Sequence, residues 1–317
     1  MAAKVFIDGQ EGTTGLRIHD RLKARDDIEL IEIEPALRKS PEERKRLLNE
    51  ADFAVLCLPD AAAIEAVSFV QNKTTRVIDA STAHRTHPGW AYGLPELSKA
   101  HRSKIASGMR VAVPGCYACG FNSIMYPIVQ DKLIQPYHPL FCHAVSGYSG
   151  GGKGLIGVYE GEDKPAGFFS PMQYSMGRHH KHIKEMTAIS ELSYPPIFNP
   201  AVDDYYSGMV VTIPLHLRTL AKKTSAELIC AMYAEHYKNQ KVIKVMPFMG
   251  EGILENGFLA ANTLKDSDSM QIFVFGNNDH ALICARFDNL GKGASGSAVQ
   301  CLNIMMGVEE TVGLCLI

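Results

Sequence analysis

Several features that would steer the reading elsewhere are missing from this chain. No apolar stretch is long enough to span a bilayer. Lys and Arg total 32 against 34 Asp and Glu, a formal charge of -2, so there is no broad basic field of the kind that holds nucleic acid. The opening Met1-Ala2-Ala3-Lys4 runs directly into Val5-Phe6-Ile7 without the pattern of a cleavable signal, and a soluble, cytoplasmic protein is expected. There is no internal repeat and no low-complexity tract. The cysteines Cys57, Cys116, Cys119, Cys142, Cys230, Cys284, Cys301 and Cys315 are too scattered for a disulfide framework and read as reduced thiols, most of them in the core. Cys116-x-x-Cys119 has no second cysteine pair at ligand spacing, so no metal site is expected.

What is present points to a globular chain of two domains: 317 residues, 46% hydrophobic and 21% charged. In the first third, strand patterns alternate with helical ones. Strands are expected at Lys4 to Asp8, Ile28 to Ile33, Phe53 to Leu58, Arg76 to Asp79 and Val111 to Val113. Helices are expected at Gly15 to Ala24, Pro41 to Glu50 and Ala61 to Val70. That βαβαβ run predicts a doubly wound parallel sheet. After Cys116 the connections lengthen and grow rich in Gly, Tyr and Pro. Strand patterns at Met209 to Ile213 and Gln271 to Phe275 predict a mixed or antiparallel sheet.

Gly9, Gly12 and Gly15 are spaced GxxGxxG between a strand and a helix, a variant of the fingerprint that brings backbone close to a pyrophosphate at a helix N-terminus, with Thr13 and Thr14 inside it. Glu32 or Glu34 closes the second strand where an acid would grip a ribose hydroxyl, while Arg38 and Lys39 could hold a 2′-phosphate. From spacing alone NAD and NADP both remain open.

Cys116 follows a strand and a Pro114-Gly115 turn and precedes a helical stretch from Phe121 to Gln130. A thiol near the positive end of a helix is favoured as the thiolate. A nucleophilic thiol combined with a dinucleotide cradle suggests redox catalysis through a thioester. Gly177-Arg178-His179-His180-Lys181-His182 is the densest imidazole cluster and the natural source of an acid or base. His182 opens a helical stretch from Ile183 to Leu192, and Arg178 could meet an anion. Two more glycine-rich segments could cradle phosphate. Ser146 to Lys153 offers successive backbone amides and a lysine. Asn289 to Ala298 opens a helix expected from Ala294 to Met306, and its small residues could admit a close approach to the nicotinamide or the cysteine.

These segments, together with Asp79-Ala80-Ser81-Thr82-Ala83-His84-Arg85 and Tyr92-Gly93-Leu94-Pro95-Glu96, carry a resemblance over nearly the full length. The chain resembles the N-acetyl-gamma-glutamyl-phosphate reductases of the shorter type, in the semialdehyde dehydrogenase superfamily. The resemblance implies a Rossmann domain of residues 1–115 completed by 290–317, and an inserted α+β catalytic and oligomerisation domain of residues 116–289. It implies NADPH as reductant, an acyl-phosphate substrate, a dimer or tetramer, and Cys116 as the acylated residue. The family's histidine maps to His180-Lys181-His182, with His182 preferred and His180 next. Ser81, Gly150, Asn289 and Gly291 join the glycine loop, Arg38 and Lys39 as expected cofactor contacts; Arg85, Ser149, Lys153 and Arg178 are the expected substrate contacts. Cys119 stands where the family usually has Thr. The rivals are aspartate-semialdehyde dehydrogenase or an aminoadipyl-phosphate reductase with the same chemistry, and a nonenzymatic NADP-binding redox sensor cycling Cys116 and Cys119.

Overall fold

The computed structural model describes residues 2–177 and 179–317 and divides the chain into two compact units. The first comprises residues 1–114 and 294–314, the second residues 115–293 and 315–317.

The first unit alternates β1 (Ala3–Asp8), α1 (Thr13–Lys23), β2 (Ile28–Ile31), α2 (Pro41–Glu50), β3 (Phe53–Leu56), α3 (Asp60–Phe69), β4 (Arg76–Asp79), β5 (Ala91–Tyr92), α4 (Lys99–Ser107) and β6 (Arg110–Ala112). Its six strands form one parallel sheet in the order β2-β1-β3-β4-β6-β5. Both faces are covered, so neighbouring strand residues go to opposite cores. Val5 and Ile7 of β1 join Val55, Ile78 and Val111 with Ile18 and Leu22 of α1, whereas Phe6 joins Ala54 and Leu56 with Leu47 and Leu48 of α2. Burying each such side chain contributes about 1.5–3 kcal/mol, which is why the short apolar runs settle as central strands.

The second unit starts with α5 (Cys116–Gln130) and continues through β7 (Phe141–Gly147), α6 (Gly152–Glu160), β8 (Met172–Gln173), α7 (His182–Ile189), β9 (Ile197–Asp203), β10 (Met209–His216), α8 (Ala226–Tyr237), β11 (Ile243–Val245), β12 (Met270–Gly276) and β13 (His280–Phe287). Its mixed sheet has the order β11-β12-β13-β10-β7-β9-β8. A π-helical turn, Gly291–Ser295, leads to α9 (Gly296–Met306), whose Val299 and Leu302 return to the core of the first unit. The last three residues, expected with the first unit, cluster with the second: the Asp268 N–H donates to the Cys315 carbonyl at 2.7 Å, and the Ile317 N–H to Ser269 Oγ at 3.1 Å.

Helix α5 begins five residues before the expected Phe121, on Cys116 itself. From Tyr117 to Ile128 every residue is buried, and that burial outweighs the poor intrinsic propensity of Tyr117, Cys119 and Gly120. Gly120 is required here, because a Cβ would stand 2.7 Å from the Phe287 ring and 2.8 Å from Val211. Pro127 sits inside the helix and has no N–H for the Ser123 carbonyl. A tyrosine of α8 repairs the break: the Tyr237 hydroxyl donates to the Ser123 carbonyl, and next to it the Tyr233 hydroxyl donates to the Ile124 carbonyl, each at 2.6 Å. Replacing Tyr237 with Phe leaves that buried carbonyl without its donor. A stability loss of roughly 1–3 kcal/mol is expected in denaturant unfolding, whereas an unchanged midpoint would mean that the tyrosine is not repairing the helix.

Candidate active site

In the first unit the glycine loop makes a tight turn from β1 into α1. Gly9 has φ +88, and a Cβ there would meet the Cys57 carbonyl at 2.5 Å. A Cβ on Gly15 would stand 2.5 Å from the Gly9 carbonyl, so only glycine lets the helix start this close to the turn. Gly12 is the N-cap, and Thr13 and Thr14 form the first helical turn. With no capping side chain bonded to that turn, the loop presents a helix N-terminus to an anion, and the residues present fit a dinucleotide pyrophosphate. Glu32, just past β2, lies 3.2 Å from His19 Nε2. Arg38 Nη2 lies 3.0 Å from Glu11 Oε1 of the loop, and Lys39 is exposed.

At the end of β4, the buried Asp79 carboxylate organises the segment that follows. It accepts from the Ser81 N–H at 2.9 Å, from Ser81 Oγ at 2.7 Å and from His84 Nδ1 at 2.6 Å, while the His84 ring stacks on Trp90 with centroids 4.1 Å apart. The Ser81 hydroxyl therefore points into this network. Arg85 is also held inside the unit: Nε donates to the Val113 carbonyl at 2.9 Å and Nη2 to the Ala80 carbonyl at 3.0 Å. Its guanidinium braces the strand end that leads to Pro114-Gly115-Cys116.

In the second unit Cys116 is the first residue of α5, capped by Gly115, and a Cβ on Gly293 would stand 3.0 Å from Cys116 Cβ. The last glycine-rich segment thus packs against the cysteine in the manner expected of small residues. Cys119, one turn on, is 0% exposed, with its thiol directed at the Lys292 carbonyl at 3.7 Å. Burial pushes the Cys57 thiol up to about 12 and Cys284 up to about 11.

Helix α7 approaches the start of α5. Glu185, 2% exposed, accepts the Gly115 N–H through Oε1 at 2.9 Å, and His182, three residues earlier on the same face, is 4% exposed. The Tyr117 ring lies 5.9 Å from that of His182 and 5.6 Å from that of His180, and the two histidine rings are 4.7 Å apart. The Tyr174 hydroxyl donates to the Tyr117 hydroxyl at 3.0 Å, which donates in turn to the Ala201 carbonyl at 3.3 Å. The two histidines differ in what they do. His180 Nδ1 accepts the His182 N–H at 3.2 Å and so supplies the start of α7 with an acceptor. Burial, aided by Lys181, lowers the His180 pKa to about 4, which keeps the ring neutral and Nδ1 able to accept. That leaves His182 better suited to acid–base work. Arg178 lies outside the described residues.

The Ser146 to Lys153 loop is not the open nest of amides that its composition suggests. The N–H groups of Gly147, Tyr148 and Ser149 donate to the carbonyls of Gly208, Tyr205 and Tyr206 at 2.9–3.0 Å. Ser149 Oγ accepts from Asn289 Nδ2 at 3.0 Å, and Asn289 Oδ1 accepts the Gly208 N–H at 2.8 Å, so both side chains are bound within the fold. A Cβ on Gly291 would stand 2.2 Å from the Ser267 carbonyl, which accounts for that glycine by packing. Gly150 and Lys153 are exposed. Glu185 and Tyr174 were missed from sequence. The His182-x-x-Glu185 spacing was a usable signal for the first, because i and i+3 share a helix face.

Two expectations follow from this geometry. Replacing Glu185 with Ala should leave the Gly115 N–H unpaired, lower stability by roughly 1–3 kcal/mol in thermal or denaturant unfolding, and slow alkylation or acylation of Cys116; wild-type values in both would remove Glu185 from the site. The depressed His180 pKa fixes a pH dependence. Below its ordinary value of 6.5 the unfolded chain binds a proton that the folded chain refuses, so this contribution to stability is full above about pH 6.5 and is lost as pH falls toward about 4. Proton NMR should find the His180 ring neutral at about pH 6, and titration near its ordinary value would contradict the burial argument.

Residues 4–105 match the family model of the semialdehyde dehydrogenase NAD binding domain, and residues 116–289 that of the semialdehyde dehydrogenase dimerisation domain. Among solved structures, aspartate semialdehyde dehydrogenase II of Vibrio cholerae aligns with a TM-score of 0.73 at 13% identity, covering 97% of this chain and 99% of that one. The Francisella tularensis aspartate semialdehyde dehydrogenase gives 0.72 at 13%, with coverage of 96% and 100%. At such identities the likeness shows the fold. Sequence relatives are much nearer: N-acetyl-gamma-glutamyl-phosphate reductase 2 of Nostoc sp. is 47% identical over 98% of this chain and 99% of its own length. The enzyme of the same name from Pseudomonas putida is 44% identical over 98% of both chains. With relatives this similar along nearly its whole length, the chain belongs to the N-acetyl-gamma-glutamyl-phosphate reductase family of semialdehyde dehydrogenases.

Proposed function

We propose that this protein reduces N-acetyl-γ-glutamyl phosphate to N-acetylglutamate semialdehyde and phosphate, in arginine biosynthesis, through a thioester on Cys116. The observation that carries the reading is a cysteine opening a buried helix whose N-cap is tied to the helix of His182 by Glu185, in a chain 47% identical to a named reductase.

His182 takes the proton of the Cys116 thiol, and the sulfur attacks the γ-carbonyl carbon of the acyl phosphate. The tetrahedral oxyanion collapses, the bond from carbon to the phosphate oxygen breaks, and phosphate departs with its electron pair. Cys116 then carries a thioester, a better hydride acceptor than a carboxylate, so no metal is required to activate the carbonyl. Reduction of that thioester draws on the hydride chemistry that a reduced nicotinamide supplies when bound. The resulting thiohemiacetal on Cys116 releases the aldehyde and restores the thiolate, which His182 reprotonates. The loop of Gly9, Gly12, Thr13, Thr14 and Gly15 would hold the pyrophosphate of NADPH, and Arg38 with Lys39 the 2′-phosphate. Lys153, exposed at the start of α6, is the proposed partner of the leaving phosphate, with Arg178 as the second cation. Cys119 acts as a packed neighbour, and its full burial weighs against a disulfide cycle with Cys116.

The second unit is the proposed oligomerisation domain. One face of its sheet carries the exposed Phe141 and Ile197, directly paired across β7 and β9, with Pro214 and Leu282 paired across β10 and β13. An apolar face of this kind supports a dimer, or a tetramer built from such dimers. No described helix is long and apolar enough to cross a membrane, which together with the small polar substrate supports action in the cytoplasm.

The test is the reverse reaction, followed as phosphate-dependent NADP reduction with N-acetylglutamate semialdehyde or aspartate semialdehyde as substrate. Turnover of the acetylated substrate is expected, and Cys116→Ser should lower it by on the order of 10³-fold or more while leaving nucleotide binding nearly intact. Preference for aspartate semialdehyde would change the substrate, and near-normal turnover in the serine variant would sink the thioester mechanism.

A further inference from the structure

Arg38 and the glycine loop hold an arrangement that the reaction does not use. Arg38 follows the short 3-10 turn Pro35–Leu37 that leaves β2, and its Nη2 pairs at 3.0 Å with Oε1 of Glu11, at the tip of the loop between Gly9 and Gly12. The Arg38 Nε is buried and has no hydrogen-bond partner among the described residues. Nε and Nη2 form the edge of a guanidinium that offers two parallel N–H donors to a carboxylate or a phosphate. Glu11 engages one of the two. Its carboxylate, 62% exposed, therefore makes a single-point contact with a cation, itself 34% exposed, built for a two-point partner.

We propose that Glu11 is an internal competitor for the adenosine 2′-phosphate: it occupies the edge of Arg38 that the phosphate must take, and thereby sets how tightly the protein holds NADPH. The proposal rests on the NADPH reading above and concerns a residue to which that reading gives no role. A phosphate monoester brings up to twice the charge of the carboxylate and enough oxygens to fill both Nε and Nη2, so it displaces Glu11. An exposed pair is weak, which keeps the exchange easy. Glu11 also repels a phosphate that approaches without displacing it. Of the two acids that would favour NAD, Glu32 is drawn toward α1, where it lies 3.2 Å from His19 Nε2. Preference between the two cofactors then depends on Arg38, and affinity for the phosphorylated one depends on how firmly Glu11 holds it.

Calorimetric titration of the full chain with adenosine 2′,5′-bisphosphate and with 5′-AMP tests this without turnover. Glu11→Gln should bind the bisphosphate roughly two- to fivefold tighter than the parent protein and raise its preference for the bisphosphate over 5′-AMP. Glu11→Ala should move the same way, and Arg38→Met should lose the preference for the bisphosphate. Unchanged or weaker bisphosphate binding in both Glu11 variants, with the parent still preferring the bisphosphate, would overturn the competitor and leave the NADPH reading standing. A parent protein that does not discriminate between the two nucleotides would remove the 2′-phosphate reading, and the competitor with it.

Discussion

The hydrogen bond from the Gly115 N–H to the buried carboxylate of Glu185 is the constraint on which the second unit's chemistry rests. A carboxylate with 2% exposure is costly to bury unless its oxygens are engaged, and the donor it finds is the backbone group just ahead of Cys116. The bond therefore fixes the point at which α5 begins. Because Glu185 lies in the first turn of α7, its charge also suits that helix's own N-terminal dipole. One side chain thus sets two helix starts, the first bearing the sulfur and the second bearing His182. The Tyr117 ring, next to the sulfur in sequence, packs against both imidazoles.

Much of the first unit could be read from sequence because its signals are local. Val5, Phe6 and Ile7 form a short apolar run bounded by a glycine turn, and Ser40 followed by Pro41 and Glu43 is a helix start whose cap is formed, with Ser40 Oγ accepting the Glu43 N–H. The second unit was legible only as a class of fold. Its sheet places β7 between β10 and β9, a pairing made by residues far apart in sequence, and no pattern within either strand announces it. The cysteine was readable from its Pro-Gly turn, but the true start of α5 was not, since the Glu185 carboxylate that fixes it lies 70 residues further along the chain and propensity gives no sign of it.

The same distinction runs through the site. Counting glycines in the Ser146 to Lys153 loop suggests free amides, but the carbonyls of Tyr205, Tyr206 and Gly208 reach those amides first. Arg85 and Ser81 read as ligand-facing polar residues, and each also bonds within the unit, to the Val113 carbonyl and to the Asp79 carboxylate. In each case a polar group in a functional motif also holds the fold together, because a buried donor must find an acceptor. His180 and His182 are alike in sequence and separate only when one imidazole lone pair is seen to serve a backbone N–H.

Helix α9 has a consequence for how the chain is made. Its Ala298, Val299, Cys301, Leu302, Ile304 and Met305 belong to the core on one face of the parallel sheet, the face that Val5, Ile7, Val55 and Val111 present. Those strands leave the ribosome before the second unit, and α9 after it. During synthesis that face stays partly bare until the second unit has been threaded out, so the first unit can complete its core only after the second has been made.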